Sequence, residues 1–541
     1  MGIGGIVFAL CGLITALCAR VSIGLRAAAC AIYIGLLCAC LFYARPYLSP
    51  AAARCAVVFV ILPCALLCLP RVRRGLLGRK RLIGVCVLPC LLILLCASVW
   101  FAVNALRIMS AGPSFVVIVI DCLRPDHLGC HGYGRDTSPT IDALARVGRH
   151  YERAYASSPW TKPSVASLFT SLLPARHGLI NSDHTASDRM LLLAEVLRNA
   201  GYTNLFINGG NVFLKKEFNL HQGFHRYDYL PHGAHSASDT VRVFLERVAR
   251  LGGKKYFAYL HFMDAHAPYT VNRHNTRYAP KIIESLAPGE PATLLTLQRE
   301  PDAPCNRDHD LRQYFVDLYD GQIRYIDEAI GGLLHGLTLL NRQENTVFII
   351  TADHGEEFWD HGSADHGHSL HNELLQVPLI IAGSPVRPAR VSGPVQLIDI
   401  MPTVLDLAGV SRERLGLQGL SLIPGISAAV PDRTLYASAT LYGPETWCII
   451  ENSSKLIYRS RNEQGKWSLA GPQAPEGYQL FDLGRDPAEQ DDRIAAEGLP
   501  LEMENLLADY IRTEPLPSSG KSILVGGDDL RQQLKSLGYI Q

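Results

Sequence analysis

The chain has 541 residues, a formal net charge of +1, 48% apolar residues and 15 cysteines. This near-neutral balance leaves no basic footprint for a polyanion, so no nucleic-acid partner is expected. The length allows a large core and more than one structural unit.

Residues 1–110 are strongly apolar and carry four segments, 3–19, 27–43, 55–69 and 82–104, that read as transmembrane helices. The third is short for a span. A secretory signal peptide fits poorly, because "MGIGG" has no basic start and three further apolar segments follow. A buried soluble bundle fits poorly too, since the segments lack polar faces. The third loop holds Arg71, Arg73, Arg74, Arg79, Lys80 and Arg81, which makes it cytoplasmic by the positive-inside rule. A multi-pass protein of the inner (cytoplasmic) membrane is therefore expected, with the lipid bilayer as a partner and everything beyond residue 110 outside the cytoplasm. Eleven cysteines fall in this region, where they act as small hydrophobes. With only Cys122, Cys130, Cys305 and Cys448 outside it, a disulfide scaffold is not expected.

Next comes "FVVIVI" (115–120), a continuous β-branched run that reads as a buried strand. Helix-like segments then precede further apolar runs at 203–207, 256–262 and 346–351. That alternation predicts a mostly parallel sheet with helices on both faces. Residues 270–308 interrupt the rhythm and read as an insertion near the site. From about 426 onward, "TLYASA", "TWCII", "SKLIYR" and "YQLFDL" predict a small antiparallel sheet. The organisation expected is a membrane region (1–110), a catalytic domain (111–425) and a C-terminal subdomain (426–541).

Ligands of open α/β sheets bind beyond the carboxyl ends of the strands. Polar residues stand at four such ends: Asp121, Asp353-His354, Asn208 with Asn211, and Asp264 with His266. Turn chemistry explains any one of them; four together predict a shared site. Two carboxylates and an imidazole suit a divalent cation, zinc or manganese first and calcium or magnesium as harder alternatives. "SPWTKPSVASLF" (158–169) places Thr161 at a helix mouth, as an N-cap, as a nucleophile whose hydroxyl a cation activates, or as both.

These segments resemble the sulfatase family of the alkaline phosphatase superfamily. The resemblance rests on "DCLRPDHLGCHGYGRDTSPTIDALA", "TADHGEEFWDHG", "HGHSLHNELLQVPLII", "LIDIMPTVLDLAG", "LQGLSLIP", "LFDLGRDPAEQ" and "LKSLGYI", in family order. It implies an alkaline-phosphatase-like α/β/α sandwich, with the small antiparallel sheet behind it and the four membrane helices in front. The family's C-x-P-x-R, whose cysteine becomes formylglycine, reads "TKPSV" here: Thr161 replaces the cysteine and Val165 the arginine. Cys122 stands where a second aspartate is usual. The set Asp121, Thr161, Asp353 and His354 is similar to that of membrane-anchored phosphoethanolamine and glycerophosphate transferases.

By this resemblance Asp121, Thr161, Asp353 and His354 hold the metal, Thr161 attacks, and His266 or His368 protonates the leaving oxygen. Lys162, Asn208, Asn211 and His361 are the expected substrate contacts. The substrate is a phospholipid or another phosphate ester, cleaved or transferred by double displacement. The alternatives are a sulfatase working without formylglycine and an inactive binding or assembly protein. Asp126, Asp142 and Asp327 read as structural.

Overall fold

The structure is a computed structural model that describes residues 112–231, 236–269, 272–278, 309–423, 431–460, 477–513 and 515. The four apolar segments, most of the expected insertion and the ending "LKSLGYI" lie outside the described residues. No helix among the described residues is long and apolar enough to cross a membrane. The chain divides into two compact units, residues 1–110 and 111–541, and the second is described here.

Its core is a nine-stranded sheet. Strands β1 (Ser114–Ile120), β2 (Arg149–Tyr155), β3 (Thr203–Asn208), β4 (Arg226–Tyr229), β5 (Tyr256–Phe262) and β6 (Thr346–Thr351) form first along the chain. A two-stranded hairpin, β7 (Glu357–Phe358) and β8 (Ala364–Asp365), stands apart from the sheet. Strands β9 (Gln376–Ala382), β10 (Ala389–Val391) and β11 (Val395–Gln396) complete the sheet. The order is β10-β2-β9-β6-β1-β5-β3-β4, with β11 also paired to β2. β1, β5 and β6 are buried at every position, as their unbroken apolar runs require.

The strands at 115–120, 203–207, 256–262 and 346–351 all form where expected. One strand departs from the parallel pattern: β9 pairs antiparallel with both β6 and β2. The chain returns from β6 through residues 352–375 without a crossover helix, so its next neighbour must run backwards.

Helix α1 (Pro139–Val147) follows the β1 loop, and its first amides, Thr140 N and Ile141 N, donate to the Asp327 carboxylate. Helix α2 (Thr161–Thr170) is buried at every residue and ends at Ser171, whose φ of 57° is left-handed. Helix α3 (Ala237–Ala249) is capped by Asp239, which accepts Ser236 N, and by Asp264, which accepts Ala237 N at 3.0 Å. Asp264 thus closes a helix, and burial pushes its carboxyl up to about 6. The long helix α4 (His309–Leu339) packs on α3 and α1.

After helix α5 (Ile400–Leu407), strands β12 (Thr434–Ser438), β13 (Thr446–Glu451), β14 (Ser454–Arg459) and β15 (Gly477–Asp482) form the expected antiparallel sheet in sequential order. Helix α6 (Leu501–Ile511) covers it through Met503, Leu507 and Tyr510, which pack with Ile449, Leu456 and Leu480. Residues 111–425 and 426–541 fall in one compact unit. Trp160 Nε1 donates to Ala439 O at 2.6 Å, and the buried Lys455 pairs with Glu489 at 2.6 Å. Glu489 Oε2 in turn accepts Asn372 N.

Candidate active site

The site forms at the carboxyl ends of β1, β6, β5 and β3. Asp121 follows β1 directly, and its amide donates to Phe262 O at the end of β5. Asp353 and His354 follow β6. Thr161 opens α2, which comes after β2. Thr161 is the first helical residue, not the cap: Trp160 holds that position, and no side chain caps this end. The N-cap expectation is corrected, and the threonine hydroxyl faces the acids instead. Thr161 Oγ1 lies 3.5 Å from Asp121 Oδ2 and 3.4 Å from His354 Nε2. His354 Nε2 is 3.4 Å from Asp121 Oδ1 and 3.5 Å from Asp353 Oδ2.

Asp121, Asp353 and His354 are fully buried, and their ligand atoms all lie within 4.8 Å of one another. Asp353 Oδ2 has no hydrogen-bond partner. Burial favours the neutral acid at Asp121, yet the His261 hydrogen bond and the imidazoles of His266, His261 and His354 hold its carboxyl well below the usual range. Asp353, buried beside that charge, is pushed up to about 7. Burial, and then His366, lowers His354 to about 3, which keeps its imidazole neutral and able to ligate. An orphaned carboxylate oxygen beside a second carboxylate and a neutral imidazole fits a divalent cation. This is the expected ligand trio, brought together with Thr161.

Asn211 belongs here as well. Its Oδ1 accepts Phe213 N, which turns Nδ2 toward Asp121 Oδ2 at 2.7 Å and Thr161 Oγ1 at 3.0 Å. Asn208 does not reach the site. Its Oδ1 accepts Gly210 N and Asn211 N while its Nδ2 donates to Asn211 O, so it braces the turn that presents Asn211.

Lys162 was expected at a substrate oxygen, and the structure corrects this. Its ammonium donates to Ser182 O and His184 O and lies 4.3 Å from the centre of the Phe218 ring. A fully buried ammonium needs such partners, and burial still lowers its pKa well below the ordinary value. His361 is likewise corrected. Its Nδ1 meets Glu373 Oε1 at 2.8 Å within the same segment, and its Nε2 meets Glu489 O at 3.0 Å, which ties this segment to the C-terminal part.

His266, expected as a proton donor, is buried beside Asp121 and Cys122. His368 is held at 2.6 Å by Glu357. Burial disfavours its charged form, but that carboxylate outweighs the effect and raises its pKa.

Two groups, His261 and His366, were missed, and Cys122, noted only as a replaced aspartate, joins them. His261, inside β5, joins Tyr259 OH at 2.9 Å to Asp121 Oδ2 at 2.9 Å. His366, rather than His368, packs on the ligands: its ring centre is 4.5 Å from that of His354 and 5.0 Å from that of His266. Burial opposes its charge, yet Asp365 and Glu356 outweigh that and raise its pKa well above the usual value. Cys122, at a left-handed φ of 62°, places Sγ 3.3 Å from Asp121 Oδ1 and 3.6 Å from His366 Nδ1. Among the described residues, Cys122, Cys130 and Cys448 are free thiols.

The family model described as Sulfatase matches residues 113–410 of this chain, more than half its length. The choline-sulfatase of Rhizobium meliloti (strain 1021) is 26% identical across 65% of this chain and 76% of its own. The arylsulfatase of Clostridium perfringens (strain 13 / Type A) is 24% identical across 71% and 91%. A structure solved in complex with its substrate D-glucosamine-2-N,6-O-disulfate superposes with a TM-score of 0.59 at 18% identity, covering 74% of this chain and 98% of its own. The phosphonate monoester hydrolase of Silicibacter pomeroyi gives 0.58 at 18% identity, covering 74% and 94%. Those two likenesses speak for the fold. The matched family model, spanning β1 through α5, shows that this chain belongs to the sulfatase family.

Proposed function

We propose that the chain hydrolyses a sulfate ester with Thr161 as the nucleophile, at a site that holds one divalent cation through Asp121, Asp353 and His354. The observation that carries the reading is the position of Thr161 Oγ1, with Asp121, His354 and the Asn211 amide all within 3.5 Å. The curated relatives named above, a choline-sulfatase and an arylsulfatase, support sulfate over phosphate. The earlier preference for phosphoryl transfer from a phospholipid gives way on that ground.

When bound, the cation supplies Lewis-acid charge stabilisation and favours the alkoxide of a hydroxyl beside it. Every other part belongs to the chain. Asn211 Nδ2 orients the Thr161 oxygen. Tyr259 and His261 fix the Asp121 carboxylate, so its second oxygen stays turned to the ligand cluster. The His366 imidazolium, charged by Asp365 and Glu356, faces negative charge that builds on the ester oxygens. His266 is the proton donor to the leaving oxygen. The Thr161 hydroxyl gives its proton to solvent, and its oxygen bonds to sulfur as the ester S–O bond breaks and the leaving oxygen takes the His266 proton. Water then attacks sulfur, the Thr161 oxygen leaves and regains a proton, and sulfate is released.

A second reading, hydrolysis of a phosphate or phosphonate ester, is favoured by one feature. A threonine has no carbonyl hydrate to expel sulfate, so its ester must be resolved by direct attack of water. The test pairs p-nitrophenyl sulfate with p-nitrophenyl phosphate and phenylphosphonate, for wild type and Thr161→Ala. Sulfate cleavage lost in the variant supports the first reading; phosphate or phosphonate cleavage alone replaces it with the second. No cleavage of any ester, in protein with metal bound, leaves a binding protein. The four N-terminal segments would anchor this domain outside the cytoplasm, which protease protection of residues 111–541 in intact spheroplasts and inverted vesicles would check.

A further inference from the structure

Away from the Asp121 site, Cys130, His131 and His150 place three ligand atoms within 4.8 Å of one another. Cys130 and His131 lie on the loop after β1, and His150 lies in β2. His131 Nε2 and His150 Nε2 face each other at 3.0 Å, with the rings nearly perpendicular. A tetrahedral zinc with Zn–N bonds of about 2.0–2.1 Å holds two such nitrogens roughly 3.3 Å apart, so a shift of a few tenths of an ångström admits the ion. Cys130 and His150 also line a cavity of about 530 Å³, together with Asp142, Arg146 and Arg390. The cavity shares no residue with the Asp121 site, and the nearby Arg390 is paired with Glu152.

We propose that Cys130, His131 and His150 form a second metal site, which takes a divalent transition cation of the zinc class and leaves one position open to this cavity. The ligand chemistry suits it: a thiolate and two neutral imidazoles are the donors that borderline cations prefer. The Cys130 thiol gives up its proton to solvent as the metal–sulfur bond forms. The bound ion would pin the loop after β1 to β2, a structural role that does not depend on the reaction at Thr161.

The experiment loads the full chain, stripped of metal, with cobalt(II), then follows its absorption spectrum and counts bound metal by mass spectrometry. The expected result is two equivalents and a thiolate-to-cobalt charge-transfer band. Cys130→Ser and His150→Gln should each lose the band and one equivalent. Asp353→Asn should lose the other equivalent and keep the band, which separates this site from the hydrolytic one. A wild-type protein without the thiolate band overturns the proposal even if a variant fails to fold. So does a band that persists in Cys130→Ser. Either result leaves His131 and His150 as a hydrogen-bonded pair.

Discussion

Thr161 has Asp121, His354 and Asn211 around its hydroxyl, and no backbone amide takes that oxygen as a cap. Thr161→Ala should therefore cost little stability while lowering kcat by about 10³-fold or more, as loss of a nucleophile does. Thermal melts beside ester-hydrolysis assays check both halves. The two asparagines divide differently. Asn211→Ala should lower kcat more than Asn208→Ala does, because its Nδ2 serves the site directly, and should lower the melting temperature as well, because its Oδ1 accepts the buried Phe213 N. Asn208→Ala should lower both, since it removes three buried hydrogen bonds of the turn and costs about 1–3 kcal/mol. A wild-type melting temperature for Asn208→Ala would show that Asn208 is not the brace. Asp121, Asp353 and His354 were legible because each stands directly after an apolar run. His261 was not, because a histidine inside a buried strand looks like core until its partner across the sheet is known. Lys162 and His361 were misassigned for a related reason: their partners lie at Ser182, His184, Glu373 and Glu489, which no local pattern connects to them.

At the scale of elements, the segment from β6 to β9 carries most of the site. Gly355, next to His354, is packed so closely that an added Cβ would collide with Glu373 O. Gly355→Ala should cost about 1–3 kcal/mol and displace His354, lowering metal occupancy and activity together. Full metal content in a destabilised variant would show that the loop relaxes away from the site instead. The same segment explains why His368 was chosen over His366. Four histidines crowd residues 361–371, and only the β7–β8 hairpin decides which one is carried to His354. The strands themselves were legible, as unbroken β-branched runs permit few other structures. The direction of β9 was not, because a buried apolar run reads the same in a parallel or an antiparallel neighbour.

For the whole molecule, two linkages follow. Removing the divalent cation leaves Asp121 and Asp353 facing each other, so a chelator should lower the melting temperature. Adding back excess cation should restore it in proportion to the logarithm of its concentration. A melting temperature indifferent to chelator would contradict a metal at this trio. The second linkage is pH. Burial opposes charge on His361, but Glu373 outweighs it and lifts the imidazole from 6.5 to about 9. A raised pKa stabilises fully below the unfolded value and is lost as pH rises through the folded one. The His361–Glu373 pairing should therefore weaken between about pH 6.5 and 9, and the difference in melting temperature between wild type and His361→Gln should shrink across that window.

The reversed strand has an architectural consequence. Because β9 alone opposes its neighbours, residues 352–375 leave and re-enter the sheet at one end, between two strands that are hydrogen-bonded to each other. Lengthening a flexible closed loop is cheap, about 0.6 kcal/mol for each doubling. The stretch beyond His354 brings His366 and its carboxylates to the reacting centre, and length added at its exposed tip, around residues 360–363, leaves the pairing of β6 and β9 untouched.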